Sequence, residues 1–499
     1  MSQQYAPTPS MVNNNNFFPG TETLPVGEMR IIFCGTSPFP PRIKQKGTCI
    51  LVELGQGKEV IDGKTVPVRP KRFFFDMGPG CAGMIAAMGI PFQEVDNVFF
   101  SHLHGDHLID LSYYYCFGAW TGRWMPLNVT GPDGRDGDPG GDGPGDYPVY
   151  PDAETDPPAN GWNWDEEGTV AMIKGMEQMY KWHVDAFKTF PTGDGYVVRV
   201  HQFDHRKENE LCYEETDDDP EQTVKVYHWP RIHGKDGASG YRLEWTFPDE
   251  SDPLQSKTLR FVWTGDGRPD EVTVECASVP SEGNPKGLLS EPVDILVSEC
   301  QTDLPNLLGL KYGLPPALYE YTIDTHHTVH YAVGDLINRC NPRMGMICHS
   351  EYDPDTVNEL LAGIRYHWQG MFALGIPDGI VVNVTKDAIW RREAAVPEYG
   401  GAAMPSAELW KDYLDYYEEV EADWQHEDDL EDIEGIPVPN PENVRVDPNG
   451  GTEGILSPEI LANEVIACKY YPEEVNRPLS VEWPPDTVIP PPDIVMPIE

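Results

Sequence analysis

The feature that most constrains this chain is a run of metal-binding side chains directly after an apolar segment. Residues 101–107 read Ser-His-Leu-His-Gly-Asp-His, and they follow Val98, Phe99 and Phe100. Neutral imidazoles and carboxylates both offer lone pairs to zinc and similar divalent metals. A lone histidine is usually a surface or core residue, but burying this much polarity without a metal would be costly. The run therefore predicts a metal site at the end of a strand.

The charge of the chain limits the partners that we expect. The sequence has 499 residues, enough for a large domain with additions, and it carries 82 acidic against 36 basic residues, a formal net charge of −46. Such a surface repels polyanions. Nucleic acid is therefore a poor partner, and we expect a small-molecule substrate.

The cysteines and the apolar segments bear on location. Ten cysteines are scattered without a Cys-x-x-Cys pair, which indicates buried free thiols. The first residues lack the basic and apolar regions of a secretory signal, and no run of about 18 apolar residues occurs. We expect a cytoplasmic protein without a membrane segment.

The composition divides the chain into five segments. Strand-like runs alternate with turns and a short helix in two core blocks, a pattern typical of an α/β fold with ligand sites at strand ends. Residues 406–424 form an amphipathic stretch, so we expect the end of the chain to dock on the body or on another subunit. The segments are an N-terminal arm (1–28), a first core block (29–134), an acidic Gly/Pro-rich insertion with a helix (135–222), a second core block (223–392) and an acidic Pro-rich C-terminal extension (393–499).

The insertion contains repeated Asp-Gly steps at 131–160. They could form a calcium loop, but they lack the EF-hand order that ends in a glutamate. A solvated loop is the preferred interpretation, and the helical pattern at 170–187 indicates packing rather than a cofactor site.

Three strands of the second core block end next to polar residues. The apolar runs that end at Trp263, Val297 and Cys348 are followed by Asp266, Glu299 and His349. Strand ends meet at one edge of a sheet, so these three side chains are candidates for a shared site.

The sequence His102-x-His104-x-Asp106-His107 resembles the signature of the metallo-β-lactamase-fold hydrolases, within the ribonuclease Z-like branch. The segments 35–42, 76–80, 131–134 and 264–266 extend the resemblance over about half of the chain. Segments 176–182 and 240–243 are also similar to a subgroup of metallo-hydrolases associated with guanitoxin biosynthesis. The resemblance implies a four-layer αββα sandwich, with the two core blocks as its halves, an acidic insertion and an extended C-terminal tail.

The resemblance also implies two divalent metal ions, with zinc as the first expectation and manganese or iron as alternatives. One ion would be held by His102, His104, His233 and Asp266, and the other by Asp106, His107, Asp266 and His349. His233 is preferred to His228 for its position, although His201 and His205 are also near in sequence. Two ions about 4 Å apart would acidify a water molecule that Asp106 orients or deprotonates.

A candidate acid follows from a second motif. His326-His327-Thr328 resembles the His-Ser-Thr motif of ribonuclease Z, which implies that His326 protonates the leaving group. The alternative is a polar helix start with surface histidines. The His-Glu-Ala-Thr segment of that family is replaced by Ser298-Glu299-Cys300-Gln301, so only Glu299 carries over, and its pairing with His326 is left open.

The preferred function is a binuclear metal-dependent hydrolase that cuts an ester, lactone, phosphodiester or sulfate ester by attack of a metal-bound hydroxide. One alternative is a ribonuclease Z-type phosphodiesterase for RNA or cyclic nucleotides, which the acidic insertion opposes. The other is a non-catalytic, metal-stabilised assembly protein. We expect a homo-oligomer formed through the C-terminal extension.

Overall fold

The computed structural model describes residues 19–38, 42–61, 64–133, 168–187, 192–218, 221–233, 235–249, 252–282, 284–313, 315–351 and 356–394. The acidic loop at 134–167 and the chain from residue 395 onward lie outside these ranges. The expectations for a solvated loop, for the amphipathic stretch and for oligomer contacts through the extension therefore stay predictions.

The described ranges contain strands and helices that alternate along much of the chain. The strands are β1 (Met29–Gly35), β2 (Cys49–Leu54), β3 (Lys58–Ile61), β4 (Lys64–Pro67), β5 (Lys71–Phe75), β6 (Asn97–Phe99), β7 (Leu127–Pro132), β8 (Val198–Phe203), β9 (Glu210–Asp218), β10 (Glu221–His233), β11 (Lys235–Asp249), β12 (Asp252–Trp263), β13 (Ile295–Glu299), β14 (Met344–Cys348), β15 (Phe372–Leu374), β16 (Ile380–Val384) and β17 (Ile389–Glu393). The helices are α1 (Cys81–Ala87), α2 (Gly105–Leu108), α3 (Leu111–Trp120), α4 (Thr169–Phe187), α5 (Glu271–Cys276), α6 (Pro305–Tyr312), α7 (Pro316–His326), α8 (His330–Cys340) and α9 (Val357–His367).

Most of these strands form two large sheets. Within the described ranges, the first sheet has the order β17-β16-β1-β2-β5-β6-β7-β8 and the second has the order β15-β14-β13-β12-β11-β10-β9. Strands β5 to β8 run parallel to one another, and so do strands β12 to β15. The carboxyl ends of the parallel strands in each sheet therefore lie together, where α/β folds place their ligand sites.

The alternation of side chains along β1 shows how the layers form. Ile31 and Phe33 belong to the apolar core between the two sheets, whereas Ile32 and Cys34 belong to a second core that faces helices. A strand alternates its side chains between two faces, so a strand that is buried throughout must be covered on both sides.

Helices cover the outer face of each sheet. Apolar side chains of α1, α3 and α4 pack on the first sheet, and those of α5, α8 and α9 pack on the second. Helix α5 begins at an N-cap, because the Asp270 carboxylate accepts a hydrogen bond of 2.6 Å from the Thr273 backbone N–H. The structure confirms the predicted four-layer αββα sandwich.

The insertion is narrower in the structure than the range 135–222 that the composition indicates. Strand β8 pairs with β7 and extends the first sheet, and β9 pairs with β10 and extends the second. The polar, partly exposed residues of β8 and β9 conceal this pairing in the sequence, because an edge strand needs only one buried face.

Two further expectations concern the thiols and the membrane. The nine cysteines within the described ranges are free and buried, as predicted. No helix in the described part of the chain is both long and apolar enough to cross a bilayer.

Candidate metal centre

The histidine-rich run begins where β6 of the first sheet ends. His102 follows the strand, His104 is the extended residue before α2, and Asp106 and His107 lie inside that short helix. The backbone enters helix α2 at Gly105, and this turn brings the side chains of His104 and His107 close to that of His102. The His102 ring centroid lies 4.6 Å from that of His104 and 4.1 Å from that of His107.

Three imidazoles converge on one side of this turn, and we name His102, His104 and His233 the imidazole group. The His104 Nδ1 atom lies 3.0 Å from the Nε2 atoms of both His102 and His233. His233 is the last residue of β10, in the second sheet. His228 lies elsewhere, stacked on Phe203, so the structure brings His233 rather than His228 to this group.

A second set of ligand atoms converges beside the first, and we name Asp106, His107 and His349 the carboxylate group. The Asp106 Oδ2 atom lies 3.3 Å from His349 Nε2 and 3.7 Å from His107 Nε2. His349 directly follows β14 of the second sheet and has a left-handed backbone, with φ of 45°. This conformation is uncommon for a residue other than glycine and is often found at functional sites.

Asp266 lies between the two groups, in the loop after β12. Its Oδ2 atom is 3.2 Å from the Nε2 atoms of both His107 and His349 in the carboxylate group. The same oxygen is 3.8 Å from His233 Nε2 and 4.0 Å from His102 Nε2 in the imidazole group. Asp266 is thus placed to contact a ligand in either group.

The donor set fits divalent metal ions. Among the described residues, the buried Asp266 Oδ1 and His107 Nε2 atoms have no hydrogen-bond partner. Buried polar atoms are normally satisfied, and converging imidazole nitrogens and carboxylate oxygens are the ligands that zinc, manganese and iron use. The seven predicted ligand residues therefore lie in one cluster that is suited to such ions.

Asp76 holds part of this cluster in place. Its Oδ2 atom lies 3.0 Å from His107 Nδ1 and accepts hydrogen bonds from the Ser101 hydroxyl at 2.8 Å and the Trp263 indole at 2.9 Å. A hydrogen bond at one ring nitrogen fixes the tautomer and leaves the other for a metal. The resemblance in sequence includes the segment that contains Asp76, but it assigns no role to this residue. The signal was present as Asp-x-Gly after a strand, with Asp76 at φ of 62°.

Other ligand imidazoles have similar supports. His102 Nδ1 lies 3.1 Å from the Ser101 hydroxyl oxygen, and His233 Nδ1 lies 2.6 Å from the His326 carbonyl oxygen. Each contact leaves the Nε2 atom directed into the cluster.

Glu299 pairs with His327 and not with His326. The Glu299 Oε2 atom lies 2.8 Å from His327 Nδ1, and Oε1 accepts hydrogen bonds from the backbone N–H groups of Gly267 and Thr328. His327 Nδ1 is 4.0 Å from Asp266 Oδ2, so this pair borders the proposed ligands. The open question about the partner of Glu299 is therefore decided in favour of the neighbouring histidine.

The end of α7 explains the shift by one residue. His326 is the last residue of the helix, and its ring is held against the Thr325 hydroxyl. His327 is extended, with φ of −134° and ψ of 171°, which turns its side chain toward Glu299. The motif names His326 as the acid, and this assignment stays a prediction, because a motif does not show where a helix ends. His330 is buried and receives a hydrogen bond from the Asp303 backbone, which is a structural role.

The electrostatics distinguish the two groups. Burial, together with nearby imidazoles, holds the pKa of His102 and His233 well below the usual value, so both are neutral donors. Burial also opposes the charged form of His107, but Asp266, Asp106 and Asp76 outweigh it and raise the pKa of His107. Burial likewise favours the neutral form of Asp266, yet His349 and His107 hold its pKa well below the usual range. The carboxylate group is therefore the charged part of the cluster.

Comparison with known proteins gives a partial match in sequence. No family model matches the chain. Ribonuclease BN of Salmonella typhimurium is 33% identical over 106 residues, which cover 21% of this chain and 32% of the relative. Ribonuclease BN of Salmonella typhi matches with the same figures. The chain thus spans about a third of the length of these curated relatives.

Solved structures with a related shape are distant. A metallo-β-lactamase-fold protein from Bacillus subtilis is 12% identical, with a TM-score of 0.40, and the match covers 73% of this chain and 99% of that chain. The short form of human tRNase Z is 13% identical, with a TM-score of 0.39, and the match covers 70% and 98%. The strand order and the ligand residues agree with the metallo-β-lactamase fold, and in sequence the chain is similar over part of its length to the ribonuclease Z-like enzymes.

Proposed function

We propose that this chain is a metal-dependent hydrolase that cuts an ester-type bond in a small molecule: an ester, lactone, phosphodiester or sulfate ester. The imidazole group and the carboxylate group would each hold one divalent ion, with zinc as the first expectation. The observation that carries the proposal is the convergence of both groups on Asp266, beside the His327–Glu299 pair. Such ions, when bound, lower the pKa of a water molecule and stabilise negative charge on a substrate oxygen.

Two side chains of the chain itself are placed for proton transfer. Asp106 is 22% exposed, so its carboxylate reaches the open face of the cluster and can accept a proton from the attacking water. The hydrogen bond from His327 to Glu299 uses Nδ1 and leaves Nε2 to protonate a leaving group. Glu299 is fully buried and orients the imidazole, as a carboxylate does in other general acid–base pairs.

The similarity to ribonuclease BN favours one second candidate, an RNA or cyclic-nucleotide phosphodiesterase. The net charge of −46 opposes RNA, because a polyanion loses affinity for an acidic surface. Binding of RNA that weakens steeply with salt would support this candidate. The third possibility, a metal-stabilised assembly protein, predicts that Asp106→Ala leaves oligomer formation and function intact.

The test is a panel of chromogenic esters, lactones, phosphodiesters and sulfate esters, assayed with the metal-loaded protein. Loss of one proton-transfer group should lower kcat by about 10²- to 10⁴-fold, so Asp106→Ala and His327→Ala should both fall in this range. His326→Ala should retain far more activity, and His201→Ala, which changes an exposed residue of β8, is the matched control. Absence of metal-dependent turnover on every substrate would refute the proposal, and a larger loss in His326→Ala than in His327→Ala would refute the acid assignment.

A further inference from the structure

Arg268 lies at the edge of the metal centre, two residues after Asp266. Its backbone N–H donates a hydrogen bond of 2.9 Å to the carbonyl oxygen of Ile232, the neighbour of His233. The preceding N–H, that of Gly267, donates to Glu299 Oε1 at 2.8 Å. The backbone at Arg268 is thus fixed between the loop that carries Asp266 and the strand that carries His233.

The side chain of Arg268 differs from the other arginines within the described ranges. Its guanidinium is half-buried, and no carboxylate or carbonyl among the described residues binds it. The other buried or half-buried arginines there have such a partner or bind a side-chain amide; Arg231, for example, binds Asp270. Arg199 and Arg391 also lack a described partner, but both are exposed. The free N–H donors of this half-buried guanidinium can therefore bind an anion.

Arg268 lies near His326, whose carbonyl oxygen is 2.6 Å from His233 Nδ1 of the imidazole group. Its charge acts on the His326 ring, where burial, His327, His104 and Arg268 together lower the pKa of His326 to about 4. His326 is therefore a neutral hydrogen-bonding group near neutral pH. His104, which belongs to the imidazole group, is exposed at the same edge. Arg268 is therefore a positive charge at this edge that binds no carboxylate among the described residues.

We propose that Arg268 binds a negatively charged oxygen group of the substrate, a phosphate or a carboxylate, so that the hydrolase prefers anionic esters. The inference rests on the proposed function and narrows its substrate class. The planar guanidinium offers two parallel N–H donors to such a group. A local cation also explains how an anion could approach a chain with a net charge of −46.

The test compares neutral and anionic substrates of one leaving group: a nitrophenyl acetate, a nitrophenyl phosphodiester and a nitrophenyl ester with a free carboxylate. Arg268→Gln should raise KM for the preferred anionic substrate by about 10- to 100-fold, as expected for loss of a charge-assisted bidentate contact. The same variant should change kcat/KM for the neutral ester less than about twofold. Arg268→Lys should give a KM for the anionic substrate between those of wild type and Arg268→Gln, because lysine keeps the charge but lacks the two parallel N–H donors. Arg199→Gln, which removes the same charge from the exposed face of β8, should match the wild type.

The outcomes separate this inference from the proposed function. An equal loss on neutral and anionic substrates, or no loss on either, would overturn the role of Arg268. Which anionic substrate the wild type prefers identifies the phosphate or the carboxylate as the recognised group. If the wild type cuts none of these and none of the lactones and sulfate esters, the proposed function fails, and calorimetric binding of inorganic phosphate and of acetate decides on Arg268 alone. Tighter binding of either anion to wild type than to Arg268→Gln, with Arg199→Gln unchanged, supports the site; equal affinities for both anions reject it.

Discussion

The two ligand groups of the metal centre differ in their charge and in their contact with solvent. The imidazole group consists of three histidines, and one of them, His104, is exposed. The carboxylate group combines two imidazoles with Asp106 and lies beside the buried Asp266. Both ring nitrogens of His107 face carboxylates, Nδ1 that of Asp76 and Nε2 that of Asp266. A buried set of charges depends on a cation for compensation much more than neutral imidazoles do. We therefore expect the carboxylate group to hold its ion more tightly.

The largest effect is expected for Asp266→Ala, because Asp266 is the residue that both groups share. Loss of its carboxylate should release metal from both groups and lower kcat/KM by more than about 10³-fold. Elemental analysis measures the metal content, and turnover of a substrate that the wild type cuts measures kcat/KM. Asp194→Ala, in an exposed turn, is the control. If Asp266→Ala keeps its full metal content, the two groups do not depend on a shared ligand.

A smaller and more selective effect is expected for His349 and His233, one from each group. Asn is the substituent at both positions, because it tolerates the left-handed backbone of His349. His349→Asn should lose the tightly held ion and His233→Asn the weakly held one, so that each retains about half of the metal. Titration with a chelator should show only the weak step in His349→Asn and only the tight step in His233→Asn. The same single step in both variants would mean that the groups do not differ.

Asp76→Asn should weaken metal binding without removing a ligand. The substitution keeps the shape of the side chain and tolerates φ of 62°, but it weakens the contact to His107 Nδ1. Loss of such a support typically lowers metal affinity by about 10- to 100-fold. Because His107 belongs to the carboxylate group, the tight step of the chelator titration should shift and the weak step should not. A shift of the weak step alone would contradict this picture.

The smallest expected effect concerns the stability of the fold and comes from Asp378, a buried carboxylate without an imidazole partner among the described residues. Burial raises its pKa to about 7, whereas the imidazoles lower that of Asp266. A raised pKa stabilises the fold below the unfolded value of about 4, and this contribution is lost as pH rises through about 7. Between pH 5 and 7, the free energy of unfolding should fall by about 2 kcal/mol more in wild type than in Asp378→Asn. Denaturant unfolding at each pH measures the difference, and equal slopes would refute it.

Much of the centre could be predicted from the sequence because its first part is local. Four ligands lie between His102 and His107, so no knowledge of long-range pairing was needed to recognise them. Asp266 and His349 could be placed because each follows an apolar strand, and strand ends meet at a sheet edge. The four-layer fold was predicted from the resemblance, whereas the residues themselves indicated only an α/β fold.

The remainder depends on geometry that short patterns do not encode. The choice between His326 and His327 is set by where α7 ends, and helix ends are uncertain by one or two residues in sequence. The role of Asp76 depends on a contact with His107, which lies 31 positions away. The pairing of β8 and β9 with the sheets joins residues that are distant in sequence or only weakly apolar, which periodicity does not reveal.

The division of the ligands between the two sheets has a consequence for how the protein is made. The histidine run follows β6 of the first sheet, whereas His233, Asp266 and His349 follow strands of the second. During synthesis the histidine run leaves the ribosome first and remains an incomplete site until β14 has been made. If divalent ions bind as proposed, they can bind fully only after both sheets have formed, and their binding would stabilise the contact between the two sheets.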